Sequence, residues 1–245
     1  MSSRIYFISA GPGDPGLLTI KGKEILEKSN IVIYFKPYND TFKEFLKNKK
    51  CFEAFTLKFE EIVKLINEAN KKKEIISFLV PGDIAIFSPF SAFLNYYKDK
   101  IEIIPGVGTL NYLASKLNFI LNSHSIVHKV VIISTKILKE RIGKFNLKDF
   151  ADKHTVLIIF MNDTPLKELF QELKNIYDNE TLVHIGVKLS MKDEKIYSIP
   201  LYKNNDNIPE IDERLSLIIV TPFSKLPEKI KWWNKKVEEH RSKIY

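Results

Sequence analysis

Three apolar runs in the first half of the chain, Arg4 to Ala10, Ile75 to Val80 and Ile101 to Ile104, each lead directly into a turn rich in glycine and proline. A run too short for a helix that stops at such punctuation reads as a buried strand followed by a turn. Behind the first turn, Thr19 is placed to cap a short amphipathic helix carrying Ile20, Ile25 and Leu26, which ends near Ser29-Asn30. A second strand follows at Ile31 to Phe35. Phe59, Ile62, Val63, Ile66 and Ala69 then fall on one face of a longer helix, and Leu110 to Leu117 also reads as helical. Strands alternating with helices predict an α/β fold with a mainly parallel sheet and right-handed crossovers.

Periodicity weakens between Asn118 and His128, which divides the chain into an N-terminal α/β domain, 1–117, a C-terminal α/β domain, 118–224, and a tail, 225–245. The second domain opens with strands at Val130 to Ser134 and Thr155 to Phe160. Thr164-Pro165 then starts a helix with Leu166, Leu169, Phe170, Leu173 and Ile176 on one face. Three further strands are expected at Leu182 to Val187, Lys195 to Ile199 and Leu215 to Thr221. Their connections are too short for helical crossovers, so this half is expected to form a mixed sheet with antiparallel pairs. The tail reads as a short helix packed on the body by Trp232 and Trp233.

With 44% hydrophobic residues in 245, the chain can bury its own core. A single cysteine, Cys51, allows no internal disulfide, and charged residues interrupt every apolar run before a membrane-spanning length. A cytoplasmic protein without a membrane partner is the expectation. The net charge is +8, and the tail carries seven Lys or Arg against three Glu, so half the excess sits there. That distribution argues against a broad nucleic-acid surface, while a basic balance suits a substrate bearing several carboxylates.

Gly11, Gly13 and Gly16 match G-x-G-x-x-G between a strand and a helix, where a dinucleotide fingerprint belongs. Such a site works through backbone N–H groups aimed at a pyrophosphate. Pro12 and Pro15 each remove one N–H, Asp14 adds a carboxylate, and the second strand ends in Tyr34-Phe35-Lys36 where a ribose-binding acid is needed. The loop therefore reads as a stiffened turn that brings main chain close to a ligand without phosphate. Pro81-Gly82-Asp83 and Pro105-Gly106-Val107-Gly108-Thr109 also follow strands, and a parallel sheet gathers the carboxyl ends of its strands on one edge. A site made mostly of backbone groups is the natural expectation there.

At this point the residues resemble a known family, the tetrapyrrole (corrin/porphyrin) methylases. The stretch Ile5 to Gly22 resembles the family's opening motif nearly throughout, and Pro81-Gly82-Asp83-Ile84-Ala85-Ile86-Phe87 resembles the second, with Ile84 in place of the usual proline. Pro105-Gly106-Val107 resembles the third, with Gly108-Thr109 where Ser or Thr and a small residue are usual. Ile159-Phe160-Met161 resembles a strand end of the family, with Asn162 for glycine, and Val183 to Ile196 resembles its late hairpin. The resemblance implies two α/β domains with S-adenosyl-L-methionine in the cleft between them, usually in a homodimer. Carried over position by position, it implies cofactor contacts at Pro12, Pro81, Gly82, Asp83, Ile86, Gly108, Thr109, Met161 and Gly186.

The implied chemistry is in-line transfer of a methyl group from a sulfonium to an electron-rich carbon of a reduced tetrapyrrole, which needs alignment in a water-poor site and no metal. No catalytic residue is assigned. His124, His128, His154, His184 and His240 show no ligand spacing. Lys21, Lys36, Lys136 and Arg141 are candidates to receive substrate carboxylates. Within the cobalamin-pathway branch, the Ile86-Phe87-Ser88-Pro89 and Tyr34-Phe35-Lys36-Pro37 contexts favour a precorrin-2 C20-methyltransferase. Precorrin-4 C11-, precorrin-6Y C5,15- and uroporphyrinogen-III methyltransferases are the alternatives. A methylase of the same fold for another acceptor, a basic nucleic-acid-binding module and an inactive relative also stay open.

Overall fold

The computed structural model describes residues 5–122, 125–202, 208–211, 216–225 and 230–242. Arg4, His124 and Leu215 lie outside them. The described chain runs β1 (Ile5–Ser9), α1 (Ile20–Lys28), β2 (Ile31–Tyr34), α2 (Tyr38–Thr41), α3 (Lys43–Leu46), β3 (Lys50–Glu53), α4 (Phe59–Lys72), β4 (Ile76–Val80), α5 (Ser91–Tyr97), β5 (Ile101–Ile104) and α6 (Thr109–Lys116). It continues with β6 (Lys129–Ser134), α7 (Thr135–Ile142), β7 (Thr155–Phe160), α8 (Leu166–Lys174), β8 (Leu182–Val187), β9 (Lys195–Pro200), β10 (Ser216–Thr221) and α9 (Ile230–Arg241). Two compact units emerge: 1–117 together with 186–195, and 118–185 together with 196–245.

The first unit is built on a five-stranded sheet of order β3-β2-β4-β1-β5 in which all neighbouring pairs are parallel. Every residue of β1 and β4 is buried, as expected for strands covered on both faces. Alternate side chains enter different cores. Ile5, Phe7, Ile33, Ile76 and Phe78 pack with Ile62 and Ile66 of α4 and Phe93 of α5, whereas Tyr6, Ile8, Val32 and Leu79 pack with Leu26 of α1 and with Tyr38 and Phe42. Phe7 and Phe78 stack across the β1–β4 pair at 4.4 Å between ring centroids. Each fully buried apolar side chain of this kind contributes about 2 kcal/mol relative to exposure. Thr19 caps α1, its hydroxyl accepting the Gly22 N–H at 3.1 Å.

The sequence reading passed over β3, α5 and α7. Strand β3 is a partly exposed edge reading Lys-Cys-Phe-Glu, α5 places only Phe93 and Tyr97 inside, and α7 buries only Thr135. Their apolar patterns are too thin to be seen without the partners they pack against.

The second sheet has the order β6-β7-β10-β8-β9, with β6 and β7 parallel and β7 and β10 antiparallel, so the mixed sheet is borne out. Helix α8 buries Leu166, Leu169, Phe170 and Leu173, the expected face. His184 lies inside this sheet, its ring nitrogens 2.7 Å from Ser198 Oγ and 3.2 Å from Thr221 Oγ1, with Phe119 edge-on. Burial pushes its pKa down to about 4, so it is a neutral core residue. His128 and His154 stack on each other, and His240 is exposed on α9.

The tail is a helix, α9, but its expected docking through tryptophan is corrected. Trp232 and Trp233 are 55% and 65% exposed, and no residue of α9 is buried. The four apolar residues Ile230, Trp232, Trp233 and Val237 are outnumbered on a twelve-residue helix by charged and polar neighbours.

Candidate active site

The strand order sets β4, β1 and β5 side by side, so the three glycine turns that follow them meet at one edge of the first sheet. Main-chain groups join them. Gly11 and Gly82 exchange two N–H to carbonyl hydrogen bonds, 3.2 and 2.9 Å long, forming an isolated antiparallel bridge just beyond the parallel β1–β4 pair. Gly82 adopts a left-handed backbone, with φ at 65°, that favours glycine. Gly106 passes so close to β1 that a methyl group on it would lie 2.2 Å from the Ser9 carbonyl oxygen. The buried Tyr38 hydroxyl donates to the Gly11 carbonyl beneath this junction. Burial pushes the Tyr38 phenol well above its ordinary pKa, with the neighbouring Gly82 backbone opposing, so it stays protonated as a donor.

Side chains lock the turns internally. Asp14 accepts the Gly16 N–H at 2.7 Å, so the acid that argues against a phosphate site caps its own turn. Asp83 accepts the N–H of Ala85 at 2.8 Å and that of Gly106 at 3.3 Å, tying the turn after β4 to the turn after β5. Ile84 donates its N–H to the fully buried Ser9 hydroxyl at 3.1 Å. A proline at 84 has no such N–H, so the departure from the family motif is matched by a hydrogen bond that only a non-proline residue can make. Thr19 reaches the Pro105 carbonyl at 3.3 Å.

Pro12, Gly82 and Gly108 are buried at this edge, Asp83, Ile86 and Thr109 are partly buried, and Pro81 is exposed. Gly186, in β8, belongs to the same unit, but it has a packing reason of its own: a side chain there would come within 2.7 Å of Leu189, which folds back over it. Met161 belongs to the second unit, at the end of β7, in a left-handed conformation with φ at 45°. Asn162 holds that turn. Its buried amide accepts from the Thr135 hydroxyl at 3.1 Å and donates to the Thr164 carbonyl at 2.6 Å, and Thr135 in turn receives the Asp163 N–H at 3.0 Å. Asparagine at the usual glycine position therefore supplies the bonds that pin the strained neighbour.

The cationic candidates fare differently. Lys21 pairs with Glu102, Lys36 with the half-buried Glu53 and Lys136 with Glu140; the three lysines are exposed, as is Arg141 on α7. Ser9, Tyr38, Ser190 and Glu194 were missed as site-building residues. A serine inside the apolar run Ile8-Ser9-Ala10 was the available signal, because a buried hydroxyl must find a partner.

A model of the family Tetrapyrrole (Corrin/Porphyrin) Methylases matches residues 4–204. The chain belongs to this family. The cobalt-precorrin-4 C(11)-methyltransferase of Methanocaldococcus jannaschii is 30% identical over 200 residues, covering 79% of this chain and 77% of that protein. Among solved structures, a cobalt precorrin-4 methyltransferase superposes with a TM-score of 0.75 at 22% identity, covering 89% of this chain and 94% of the other. Uroporphyrin-III C-methyltransferase from Thermus thermophilus, complexed with S-adenosylhomocysteine, gives a TM-score of 0.67 at 22% identity, covering 89% and 97%. This methylase is an S-adenosylmethionine-dependent methyltransferase.

The edge of the first sheet fits that cofactor. A side chain at Gly82 would stand 3.1 Å from Thr109 Oγ1 and 3.7 Å from its backbone nitrogen, and one at Gly108 would stand 3.1 Å from Asn111 Oδ1. With glycine at both positions, neither residue places a side chain over the first turn of α6. Gly108, at its N-cap, supplies no side-chain hydrogen bond, so the first-turn N–H groups suit a carboxylate such as the amino-acid end of the cofactor.

Proposed function

We propose that this methylase transfers the methyl group of S-adenosylmethionine to a ring carbon of a reduced tetrapyrrole of the cobalamin pathway, at C11 of precorrin-4 or cobalt-precorrin-4. The convergence of the turns after β4, β1 and β5 around the open start of α6 carries the cofactor part of the reading. Relatives named for C11 methylation match most of the chain, which moves the preferred carbon from C20 to C11. The likeness to uroporphyrin-III C-methyltransferase keeps uroporphyrinogen III as the second acceptor.

In this reading Gly82, Gly108 and Thr109 present main-chain and hydroxyl groups to the amino-acid end of the cofactor, and Asp83 keeps the two turns in register. Pro12 and Pro81 stiffen the turns, and Ile86 and Gly186 complete the contacts offered by the first unit. When bound, the cofactor supplies an electrophilic methyl group on sulfur. The protein's part is to hold donor and acceptor in line and limit water, which is where such a reaction gains most of its rate. The same reading expects a cytoplasmic homodimer with no nucleic-acid partner.

Calorimetric titration with S-adenosylhomocysteine tests the cofactor site, and absence of binding at millimolar ligand overturns it. Incubation with precorrin-4, precorrin-2 and uroporphyrinogen III, followed by mass and carbon-13 analysis of the product, decides the acceptor. A methyl group at C20 of precorrin-2 alone would reverse the choice of C11.

A further inference from the structure

The hairpin between β8 and β9 belongs to the first unit although it arrives from the second half of the sequence. Its loop carries Lys188 and Ser190 at positive φ, 48° and 59°, so it is held in a shape that ordinary residues adopt at a cost. Glu194, whose side chain is only 21% exposed, is the centre of what holds it. One carboxylate oxygen accepts the Ser190 N–H at 2.6 Å and the Tyr112 hydroxyl at 2.7 Å, and the other lies 3.5 Å from the Lys116 ammonium. Tyr112 and Lys116 are on α6, the helix whose start borders the candidate cofactor site.

The chain of bonds continues to the first glycine turn. The Ser190 hydroxyl accepts the Asp14 N–H at 2.9 Å. Met191 packs against Gly13 so closely that a methyl group on the glycine would come within 2.8 Å of Met191 Cγ. The turn after β1 is thus gripped on one side by Gly82 and on the other by this loop. Burial works against a charge on Glu194, but the Ser190 N–H, the Tyr112 hydroxyl and Lys116 outweigh it and hold its carboxyl below the ordinary range. It is therefore an ionised acceptor at neutral pH.

We infer that Glu194 is a positioning residue for cofactor binding, its carboxylate fixing α6 and, through Ser190, the Gly11–Gly16 turn at the spacing the cofactor requires. This rests on the cofactor reading above. Glu194 acts through Ser190, Tyr112 and Lys116.

The test is calorimetry with S-adenosylhomocysteine at a temperature well below unfolding, where lost global stability does not change a measured affinity. Glu194→Ala should weaken binding by about tenfold or more, since it removes charge-assisted hydrogen bonds. Glu194→Gln keeps an acceptor for Ser190 and Tyr112 and should recover most of that loss. Tyr112→Phe and Ser190→Ala should each weaken binding by about threefold, and they carry the test if Glu194→Ala does not fold. In turnover, KM for S-adenosylmethionine should rise while kcat is nearly unchanged. Wild-type affinity in Glu194→Ala, or in both Tyr112→Phe and Ser190→Ala, overturns the inference. Failure of the wild-type chain itself to bind overturns the cofactor reading instead.

Discussion

At the ends of β1, β4 and β5 the chain turns on main-chain groups, whereas at the end of β7 it turns on side chains. The first edge relies on Gly11 pairing with Gly82 and on Gly106 lying against the Ser9 carbonyl, with carboxylates and hydroxyls as clasps around them. The second holds Met161 in a left-handed conformation through Asn162, Thr135 and Thr164, without a glycine. A main-chain turn tolerates almost no added atoms but asks little of its neighbours. A side-chain turn accepts any backbone-compatible residue that completes its hydrogen bonds, and fails when one is removed.

The comparison breaks most readily at Gly106. Gly106→Ala should cost about 3 kcal/mol or more in urea unfolding, because the new methyl group meets backbone that cannot yield, while Gly108→Ala meets only side-chain atoms, of Asn111 and, at ordinary contact distance, Asp83, and should cost about 1 kcal/mol or less. Equal costs at the two positions would show that the close approach at Gly106 is not what fixes this edge.

A pH series probes the side-chain interior of the second unit. His184 ionises near 6.5 when exposed and only near 4 in the fold, so the unfolded chain binds its proton first as pH falls. Its contribution should be fully present above about pH 6.5 and lost progressively towards pH 4, about 3 kcal/mol in all. Replacement by Gln, which does not titrate, should flatten that part of the pH dependence of Tm. An unchanged slope would mean that other groups carry it.

Asn162→Ala should cost about 2 kcal/mol, because the Thr164 carbonyl and the Thr135 hydroxyl lose partners in a buried place. Ser9→Ala should cost about 1 kcal/mol by orphaning the Ile84 N–H, a smaller effect because the surrounding turn is also held by main-chain bonds. If the order of these two is reversed, the contrast between the two kinds of turn is wrong. Trp232→Ala with Trp233→Ala should change stability by less than about 0.5 kcal/mol, since both rings are exposed.

Much of the architecture was legible because both faces of the first sheet are covered, so that β1 and β4 appear as unbroken apolar runs with turns directly behind them. The three glycine turns were legible for the same reason, and their meeting followed from a parallel sheet having one carboxyl edge. Strand β3 and helices α5 and α7 were not, since their few inward residues make no period by themselves. Asn162 and Ile84 looked like defects in family motifs, and only their partners Thr135, Thr164 and Ser9 show them to be built in.

The sequence by itself determined the alternation of strands and helices, the family and the positions of the three glycine turns, because these depend on short-range patterns of apolar, glycine and proline residues. Tertiary structure alone decided which side chains hold those loops. Glu194 reaches Tyr112 across 82 positions and Ser190 reaches Asp14 across 176, and no local pattern records a hydrogen bond that the fold creates by bringing distant segments together.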